Sequence, residues 1–371
     1  MKNVILSVTN DLTTDQRVDR VCNTLVKMGF TVLLVGRKRS QSLPLKPRKY
    51  GMKRMKLLFG KGPWFYAEYN LRLFLFLLFR KVDLLVSNDL DTLLANYLAS
   101  RIRRVPLVHD CHEYFRGVPE LNNRERTVRI WKRIEDRIFP KLETVYAVNA
   151  SIADIYHKEY ENEIFVIRNV PVRKSTDETK KIIIPGIPEG MPILLYQGAV
   201  NVDRGLDEAI MALKFMKTKA VLLIIGTGDV IDSLKGLSVA QGVGDKVIFT
   251  GPIPLEDLHE YTVMADIGLS IEKDVSLNYH YCLPNKFLDY IQARVPVLVS
   301  PLPEMTAIIE KYGIGETIES HDPEYLAAKF DAMLKDSEKL AVYRKNLAKA
   351  ASDLCWENEE QELINIYRRY A

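Results

Sequence analysis

The sequence predicts an α/β protein with two domains of similar architecture. Its 371 residues exceed what one ordinary hydrophobic core organises. Short apolar runs alternate with helical patterns in two series, one starting at Val4 and the other at Ile193. A polar stretch bearing Pro and Gly, residues 171–191, lies between the two series and has the composition of a linker. We therefore expect domains at 1–170 and 171–354, each an open sheet of parallel strands joined by helices.

The composition is that of a soluble globular protein, with 47% hydrophobic and 27% charged residues. The net charge of +4 does not by itself indicate a nucleic-acid partner. The four cysteines are scattered without a Cys-x-x-Cys pair, so neither a disulfide framework nor a zinc site is indicated. The N-terminus lacks the apolar core of a signal peptide, and the longest strongly apolar run, 73–79, is too short to span a membrane. We expect a cytoplasmic protein.

The first domain begins with a strand–helix–strand unit. A strand at 4–8 is followed by the polar turn residues Asn10 and Asp11, then by a helix and a second strand at 31–36. The turn lacks a G-x-G-x-x-G pattern, so a dinucleotide site is not supported. Ligands of open α/β sheets bind at the carboxyl ends of strands. We therefore expect Asn10, Asp11 and Arg17 to form the polar rim of a binding site.

Residues 46–81 are strongly basic. They carry ten basic side chains against one acid, Glu68, and aromatic residues are interleaved among them. One interpretation is a solvated loop followed by a core helix, because residues 71–79 must contribute to the core. The other is a surface that lies on an anionic membrane. No RNA-binding signature accompanies the basic residues, so no nucleic-acid partner is expected.

Polar residues also follow the next strand, at 83–87. Asp89 and Asp91 form an Asp-x-Asp pattern, which can hold a metal–diphosphate group. The pattern directly precedes a helix at 92–101, however, and this position favours Asp91 as the N-cap of that helix.

Two histidines and two carboxylates crowd the end of the following strand: His109, Asp110, His112 and Glu113. A His-x-x-His pair admits a metal site, yet no third ligand lies near it in the sequence. The favoured interpretation is a contact to a sugar hydroxyl, with one histidine in the reacting site. A structural cluster with satisfied hydrogen bonds is the remaining interpretation.

In the second domain, a strand at 193–196 leads to Gly198 and then to Arg204 at the start of a helix. Glycine lets the backbone approach a ligand, and an arginine at a helix start can fork onto phosphate oxygens. Gly226 follows the next predicted strand, at 221–225. A glycine there indicates a tight turn and, by itself, no ligand site.

The most informative stretch is 276–304, where a polar, aromatic loop runs into a helix. The first turn of a helix offers unpaired N–H groups to an anion. Lys286 adds a positive charge there, and Asp289, one turn along the same side, can accept hydrogen bonds from hydroxyls. The pattern suits a phosphate-bearing, hydroxyl-rich ligand such as a nucleotide sugar. The residues expected to line this site are Asn278, Tyr281, Leu283, Pro284, Asn285, Lys286 and Asp289.

Over nearly its whole length, the chain resembles the family 4 retaining glycosyltransferases. The motifs that carry the resemblance are NDLTTDQRVDR, HDCHEYF, YQGAVNVDRGLDEAI, IGTGD and SLNYHYCLPNKFLDYIQARVPVLVSPLPEM. The resemblance implies the GT-B fold, with two Rossmann-like domains whose parallel sheets face across a cleft and a tail, 355–371, that packs back on the first domain. It also implies a nucleotide-sugar donor on the second domain, a glycan or lipid-linked acceptor on the first, and no divalent metal or other cofactor.

The resemblance assigns roles residue by residue in the second domain. Arg204 stands where the family places a lysine or arginine on the donor diphosphate, and Ala199 where another arginine is common. Lys286 is expected to compensate for that missing arginine. Asp289 takes the place of the glutamate that holds the ribose, and Tyr281 takes the place of the family's other glutamate.

The catalytic residues expected from the resemblance are His112, Arg204 and Lys286. His112 matches the family's active-site histidine, which contacts the donor sugar, and the two cations would stabilise charge on the leaving diphosphate. His109 and Glu113 are expected on the acceptor side, with Asn10, Asp11 and Arg17.

The expected activity is sugar transfer from a UDP- or GDP-sugar in bacterial surface polysaccharide or glycolipid synthesis. Two alternatives stay open. One is a nucleotide-sugar epimerase that would use Asp110 and Glu113 as acid and base. The other is an inactive, glycosyltransferase-like binding protein, which the missing glutamate and arginine suggest.

Overall fold

A computed structural model describes residues 1–13, 15–174 and 182–371, so the predicted linker at 171–191 lies partly outside the described residues. The chain divides into two units. The first contains residues 1–169 and 359–371, and the second contains residues 170–358. No described helix combines the length and apolar character needed to cross a membrane.

The first unit is built on a parallel sheet, with the order β3-β2-β1-β4-β5-β6-β7 among the described residues. Its strands are β1 Asn3–Ser7, β2 Thr31–Lys38, β3 Gly51–Lys56, β4 Leu84–Asn88, β5 Leu107–Cys111, β6 Thr144–Ala147 and β7 Ile164–Val166. Its helices are α1 Gln16–Lys27, α2 Gly62–Leu78, α3 Leu90–Arg103, α4 Glu125–Ile138 and α5 Ala150–Tyr160.

The second unit is built on another parallel sheet, with the described order β10-β9-β8-β11-β12-β13. Its strands are β8 Ile193–Ala199, β9 Val221–Thr227, β10 Val247–Gly251, β11 Ile267–Ser270, β12 Val297–Val299 and β13 Gly315–Thr317. The remaining helices are α6 Leu206–Ala212, α7 Ile231–Ala240, α8 Leu255–Thr262, α9 Leu277–His280, α10 Asn285–Gln292, α11 Pro303–Tyr312, α12 Pro323–Lys335, α13 Ser337–Asp353 and α14 Trp356–Arg368.

Each sheet has one point where its strand order reverses. In the first unit this point lies between β1 and β4, and in the second it lies between β8 and β11. Connections leave to opposite sides there, so a crevice opens beyond the carboxyl ends of the two strands. The residues that follow β1, β4, β8 and β11 are therefore placed to bind ligands in their respective units.

The last helix, α14, joins the first unit from Glu359 onward. The Glu359 carboxylate accepts the backbone N–H of Arg168 at 2.8 Å, and the hydroxyl of Thr24 donates to Glu360 at 2.7 Å. Further along, the buried ring of Tyr367 packs edge-on against Tyr146. These contacts tie the end of the chain to α1 and β6 of the first unit.

Two segments of the first unit differ from the sequence prediction. Within the basic stretch, β3 forms an edge strand paired with β2 where a solvated loop is one expectation. Strand β5 continues to Cys111, so His109 and Asp110 lie inside the strand rather than in the loop after it. Both differences have the same cause, because polar side chains on a strand hide its periodicity.

Candidate functional site

The second unit gathers three charged side chains at its reversal point. Glu272 follows β11 and is fully buried, and its Oε1 atom accepts a hydrogen bond from Nζ of Lys286 in the first turn of α10. Nη1 of Arg204, two residues before α6, lies 3.9 Å from the same carboxylate oxygen. The other oxygen, Oε2, accepts the hydroxyl of Ser270 at 2.9 Å. Two cations and one anion thus share this site.

The charges in this cluster stabilise one another. Burial disfavours both ions, but the attraction of Lys286 outweighs it and lowers the pKa of Glu272. Burial likewise opposes the ammonium of Lys286, yet the attraction of Glu272 raises the pKa of that lysine. Lys286 therefore carries its charge throughout the neutral range, although its side chain is only 8% exposed.

Aromatic rings line the two cations. The Lys286 ammonium lies 4.6 Å from the ring centre of Tyr196, and the Arg204 guanidinium lies 4.7 Å from that of Tyr279. Such contacts favour a cation by the negative face of the ring. The Nε atom of Arg204 is buried and donates no hydrogen bond to any described residue.

Glycines keep the backbone beside this cluster open. Gly198 and Gly226 are neighbours across β8 and β9, and both have positive φ, 125° and 140°. A Cβ on Gly226 would stand 1.9 Å from the carbonyl oxygen of Gly198, so no side chain fits there. A Cβ on Gly198 would lie 3.9 Å from Cε of Lys286. Glycine at 198 therefore leaves the approach to the lysine clear.

Asp289 lies on α10, one turn beyond Lys286, and is oriented by a buried amide. Nε2 of Gln197 donates to Oδ2 of Asp289 at 3.2 Å, and Oε1 of Gln197 accepts the Thr262 hydroxyl at 2.8 Å. Gln197 thus fixes the position of one carboxylate oxygen of Asp289. The side chain is partly exposed, which suits the predicted contact with ribose hydroxyls.

The segment before α10 contains the short helix α9. Ser276 is the N-cap of α9, because its hydroxyl accepts the backbone N–H of Tyr279 at 3.2 Å. Tyr281 packs edge-on against His280, whose Nδ1 lies 2.7 Å from Asp274. Leu283 packs against the core of the unit and anchors the end of the loop. The other predicted lining residues, Asn278, Pro284 and Asn285, lie in or beside the helices of the same segment.

The first unit places His112 between two carboxylates. Its Nε2 atom lies 3.0 Å from Asp110 Oδ2, and its Nδ1 atom lies 3.5 Å from Asp89 Oδ2. Burial disfavours the imidazolium, but the attraction of Asp110 and then Asp89 outweighs it and raises the pKa of His112 to about 10. A histidine charged at neutral pH cannot accept a proton. Both ring nitrogens face these carboxylates, so the arrangement does not suit a general base.

His109 and Arg17, both predicted on the acceptor side, are buried at the carboxyl end of the first sheet. His109 is 2% exposed, its Nδ1 lies 2.8 Å from the Ser87 hydroxyl, and burial lowers its pKa to about 4. Arg17 forms a bidentate ion pair with Asp110, in which Nη2 lies 2.7 Å from Oδ1. Arg17 also donates a hydrogen bond to the carbonyl oxygen of Ile167. Both side chains stabilise the strand ends and have no exposed surface to offer an acceptor.

The other predicted acceptor-side residues lie at the rim. The side-chain oxygen of Asn10 accepts the N–H of Leu12 at 2.9 Å, and Asp11 accepts the N–H and hydroxyl of Thr13. These bonds shape the turn after β1. Glu113 follows β5 and is partly buried. Asn10, Asp11 and Glu113 are thus at the carboxyl end of the sheet, as predicted from their position after strands.

The prediction that Asp91 caps α3 is wrong. Asp89 occupies the cap position with φ of 57°, and its side chain accepts the backbone N–H of His112 at 2.8 Å. Asp91 lies in the first turn of α3 and accepts the Thr9 hydroxyl at 2.6 Å. Burial raises the pKa of Asp91 to about 7. No cluster of three potential metal ligands occurs within the described ranges.

Sequence reasoning missed Glu272, Gln197 and Tyr196. Tyr196 and Gln197 lie toward the carboxyl end of β8, and Glu272 follows β11 by two residues, so all three are near the edge where ligands of parallel sheets bind. The available signal is a polar residue at the end of an apolar run. It becomes decisive only when the strand order shows that β8 and β11 are neighbours.

Comparisons with known proteins agree with this architecture. The profile described as Glycosyltransferase Family 4 matches residues 15–170, and the one described as Glycosyl transferases group 1 matches residues 177–350. An uncharacterized glycosyltransferase of Methanocaldococcus jannaschii is 24% identical over 196 residues, which cover 49% of this chain and 46% of that protein. The aligned part thus spans less than half the length of that relative.

Solved structures match over the whole chain. Sucrose-phosphate synthase from Thermosynechococcus elongatus has a TM-score of 0.80 at 17% identity, covering 100% of this chain and 99% of that chain. Anabaena HepE in complex with UDP-glucose has a TM-score of 0.74 at 13% identity, covering 100% of both chains. The fold is that of the GT-B glycosyltransferases. With the two profile matches in sequence, the chain belongs to glycosyltransferase family 4.

Proposed function

We propose that the protein is a retaining glycosyltransferase that takes a sugar from a UDP- or GDP-sugar. The observation that carries this proposal is the cluster of Lys286, Arg204 and Glu272 at the reversal point of the second sheet. Its excess positive charge suits a diphosphate, and Asp289 nearby on α10 suits the ribose. The complex of HepE with UDP-glucose makes a UDP-sugar the first donor to test.

The chemistry assigned to these residues is electrostatic. The bond between the anomeric carbon and the diphosphate oxygen breaks, and a bond to the acceptor oxygen forms on the same face. The acceptor proton passes to the departing phosphate. Lys286 and Arg204 stabilise the charge that develops on the leaving diphosphate, so the proposal requires neither a protein nucleophile nor a metal. His112, held as an imidazolium between two carboxylates, is not assigned the role of base.

The test combines binding and turnover on the full chain. Calorimetry with UDP, GDP and UMP measures whether the second phosphate adds affinity. Release of nucleotide diphosphate is then followed with UDP- and GDP-sugars and a panel of glycans and lipid-linked glycans. We expect diphosphates to bind more tightly than UMP, and one donor to be consumed with retention. Absence of both nucleotide binding and donor turnover would refute the proposal.

The same experiment separates the alternatives. An epimerase would convert the donor without releasing diphosphate, but the carboxylate of Asp110 is buried and engaged by Arg17 and His112. A binding protein without catalysis would bind UDP and turn over no donor. The cluster at Glu272 and the oriented Asp289 suit nucleotide binding, which all three candidates share, so donor turnover decides among them.

We further propose that the acceptor is membrane-borne, in polysaccharide or glycolipid synthesis, and that residues 46–81 dock on anionic phospholipids at the inner face of the cell membrane. Helix α2 has two apolar stripes. The inner stripe, Phe65, Tyr69, Leu73 and Leu77, is buried. The outer stripe, Trp64, Leu71, Leu75 and Phe79, is exposed, with Phe79 84% exposed at the end of the helix. This second stripe explains why the segment is apolar on more than one face.

Basic side chains border the exposed stripe. A groove of about 400 Å³ between β3 and α2 is lined by Lys53, Arg54, Lys56 and Arg72 with Leu75 and Phe76. The acid of the segment, Glu68, is engaged by Arg72 and by the backbone N–H groups of Leu58 and Phe59. The surface thus combines positive charge with exposed apolar residues, as interfacial helices do.

Vesicle sedimentation tests this surface. The full chain should pellet with phosphatidylglycerol-containing vesicles and not with pure phosphatidylcholine. Lys53→Gln with Lys56→Gln, two exposed positions of β3, should lower the pelleted fraction severalfold. The control Lys345→Gln with Lys349→Gln changes the charge equally on exposed positions of α13 and should pellet like the unaltered protein. Equal loss in both variants, or no binding by the unaltered chain, would remove the membrane proposal.

A further inference from the structure

Glu272 is the feature of the second unit that neither the sequence motifs nor the family resemblance select. Its side chain is fully buried, and it lies at the end of β11, where ligands of parallel sheets bind. A carboxylate in this position would ordinarily repel a diphosphate. Its presence beside the two proposed phosphate-binding cations therefore needs a physical reason.

The contacts of Glu272 show what it holds. Oε1 accepts from Lys286 and faces Arg204, while Oε2 is fixed by the Ser270 hydroxyl at 2.9 Å. Lys286 is in turn held over the ring of Tyr196 and beside Gly198, whose missing side chain leaves the ammonium approachable. One buried carboxylate thus binds Lys286 directly and faces the guanidinium of Arg204.

Without this anion the two cations would face each other in a poorly solvated place. Like charges that are close together and buried destabilise each other, and the lysine is the group that can give up its proton. Arginine stays charged at any pH that a protein meets. Removing the negative charge should therefore leave Arg204 charged and make Lys286 prone to neutralise or to swing out.

We propose that Glu272 is a positioning residue that keeps the ammonium of Lys286 and the guanidinium of Arg204 paired and aimed as a preformed diphosphate clamp. The inference rests on the proposed use of a nucleotide-diphosphate donor. It goes beyond that proposal because it assigns the clamp's assembly to a residue that touches no phosphate. It also explains how Lys286 can stand in for the arginine that Ala199 replaces.

The test is the affinity for UDP and GDP as a function of pH, measured by calorimetry on the full chain. Glu272→Gln keeps the shape and a hydrogen-bonding group but removes the charge. We expect the ratio of its dissociation constant to that of the unaltered protein to rise at least about tenfold between pH 6.5 and 9.5, as Lys286 loses its charge and its bond to phosphate. Comparison with the unaltered protein cancels the titration of the nucleotide itself.

A second measurement reads Lys286 directly, without nucleotide. In protein labelled with ¹³C at lysine Cε, the signal that Lys286→Met removes should titrate at lower pH in Glu272→Gln than in the unaltered chain. Glu272→Asp keeps the charge, so its dissociation-constant ratio should stay level across this pH range. Asp331→Asn is the matched control, because Asp331 is a buried carboxylate of the same unit that accepts the N–H groups of Lys217 and Thr218. It should lower the melting temperature without making nucleotide affinity depend on pH.

The outcomes are distinct. A ratio that stays constant with pH, with an unshifted Lys286 titration, would overturn the role of Glu272 while leaving the donor proposal intact. Failure of the unaltered protein to bind UDP or GDP would overturn the proposed function and this inference with it. A rising ratio in Glu272→Gln, absent from Glu272→Asp and Asp331→Asn, would support the clamp.

Discussion

The charge on His112 makes a quantitative prediction about stability. The folded protein holds this side chain between Asp110 and Asp89, which raises its pKa to about 10, against roughly 6.5 in an unfolded chain. Because the folded state binds the proton more tightly, the resulting stabilisation is complete below pH ~6.5. It is lost progressively as the pH rises toward 10.

The magnitude follows from the pKa difference. Each pKa unit corresponds to ~1.36 kcal/mol, so a shift of this size sets a ceiling near 5 kcal/mol. The His112 side chain is 18% exposed, and partial solvation reduces the effect. We expect the linkage to contribute on the order of 3–5 kcal/mol to the free energy of unfolding of the first unit.

His112→Gln removes the titrating group and keeps a polar side chain of similar reach. Urea unfolding at pH 6, 7, 8, 9 and 10 gives the difference in free energy of unfolding between the variant and the unaltered protein. This difference should be largest at pH 6 and should shrink by the amount above toward pH 10. His157→Gln, on an exposed histidine of the same unit, serves as the control for the loss of a histidine side chain. If the difference for His112→Gln is the same at every pH, the histidine is not held as an imidazolium and the reasoning is refuted.

Three further predictions concern the second unit. Arg204→Ala should weaken UDP binding by roughly 1.5–3 kcal/mol, the worth of a hydrogen bond to a charged group, and unchanged affinity in calorimetry would take Arg204 out of the site. Gly226→Ala should lower the melting temperature or prevent folding, because its Cβ would stand 1.9 Å from the Gly198 carbonyl oxygen, whereas Gly60→Ala meets no atom within 4 Å and should be neutral. Tyr290→Phe should cost about 1–3 kcal/mol in urea unfolding, because the buried N–H of Gln197 that bonds to the Tyr290 hydroxyl at 3.2 Å loses its acceptor; a cost near zero would contradict this account.

Much of the second-unit site could be predicted from sequence because its signals are local. The helix that carries Lys286 and Asp289 follows a recognisable loop, and the observed α10 begins at Asn285, within the predicted motif. The sequence predicts a turn at Gly226, and the closeness of Gly226 to Gly198 follows from pairing of β8 with β9. The sequence did not indicate Glu272, because its partners are distant in the chain. Lys286 lies 14 residues downstream, and Arg204 follows the neighbouring strand β8.

In the first unit, by contrast, short sequence patterns did not predict where strands end and helices begin. His109 and His112 belong to one polar cluster in the sequence, but β5 runs through His109 and ends before His112. One ring is therefore buried against Ser87 and the other lies at the strand end. Asp91 looked like a helix cap, yet the backbone turns one step earlier, at Asp89. Strand length and the position of a turn depend on tertiary pairing, which a short sequence window does not contain.

The charge balance of the two clusters assigns different ligands to the two units. In the first unit, Arg17 and His112 both contact Asp110, and His112 also faces Asp89, so both cations are already engaged by carboxylates. A dianion gains little there, whereas a neutral hydroxyl can bond to the rim. In the second unit, Lys286 and Arg204 share the carboxylate of Glu272, and one positive charge remains uncompensated within the cluster. A diphosphate is attracted to that excess positive charge. The carboxylate of Glu272 keeps the two cationic side chains together before the diphosphate binds. For these electrostatic reasons, the second unit is the better place for the proposed diphosphate donor.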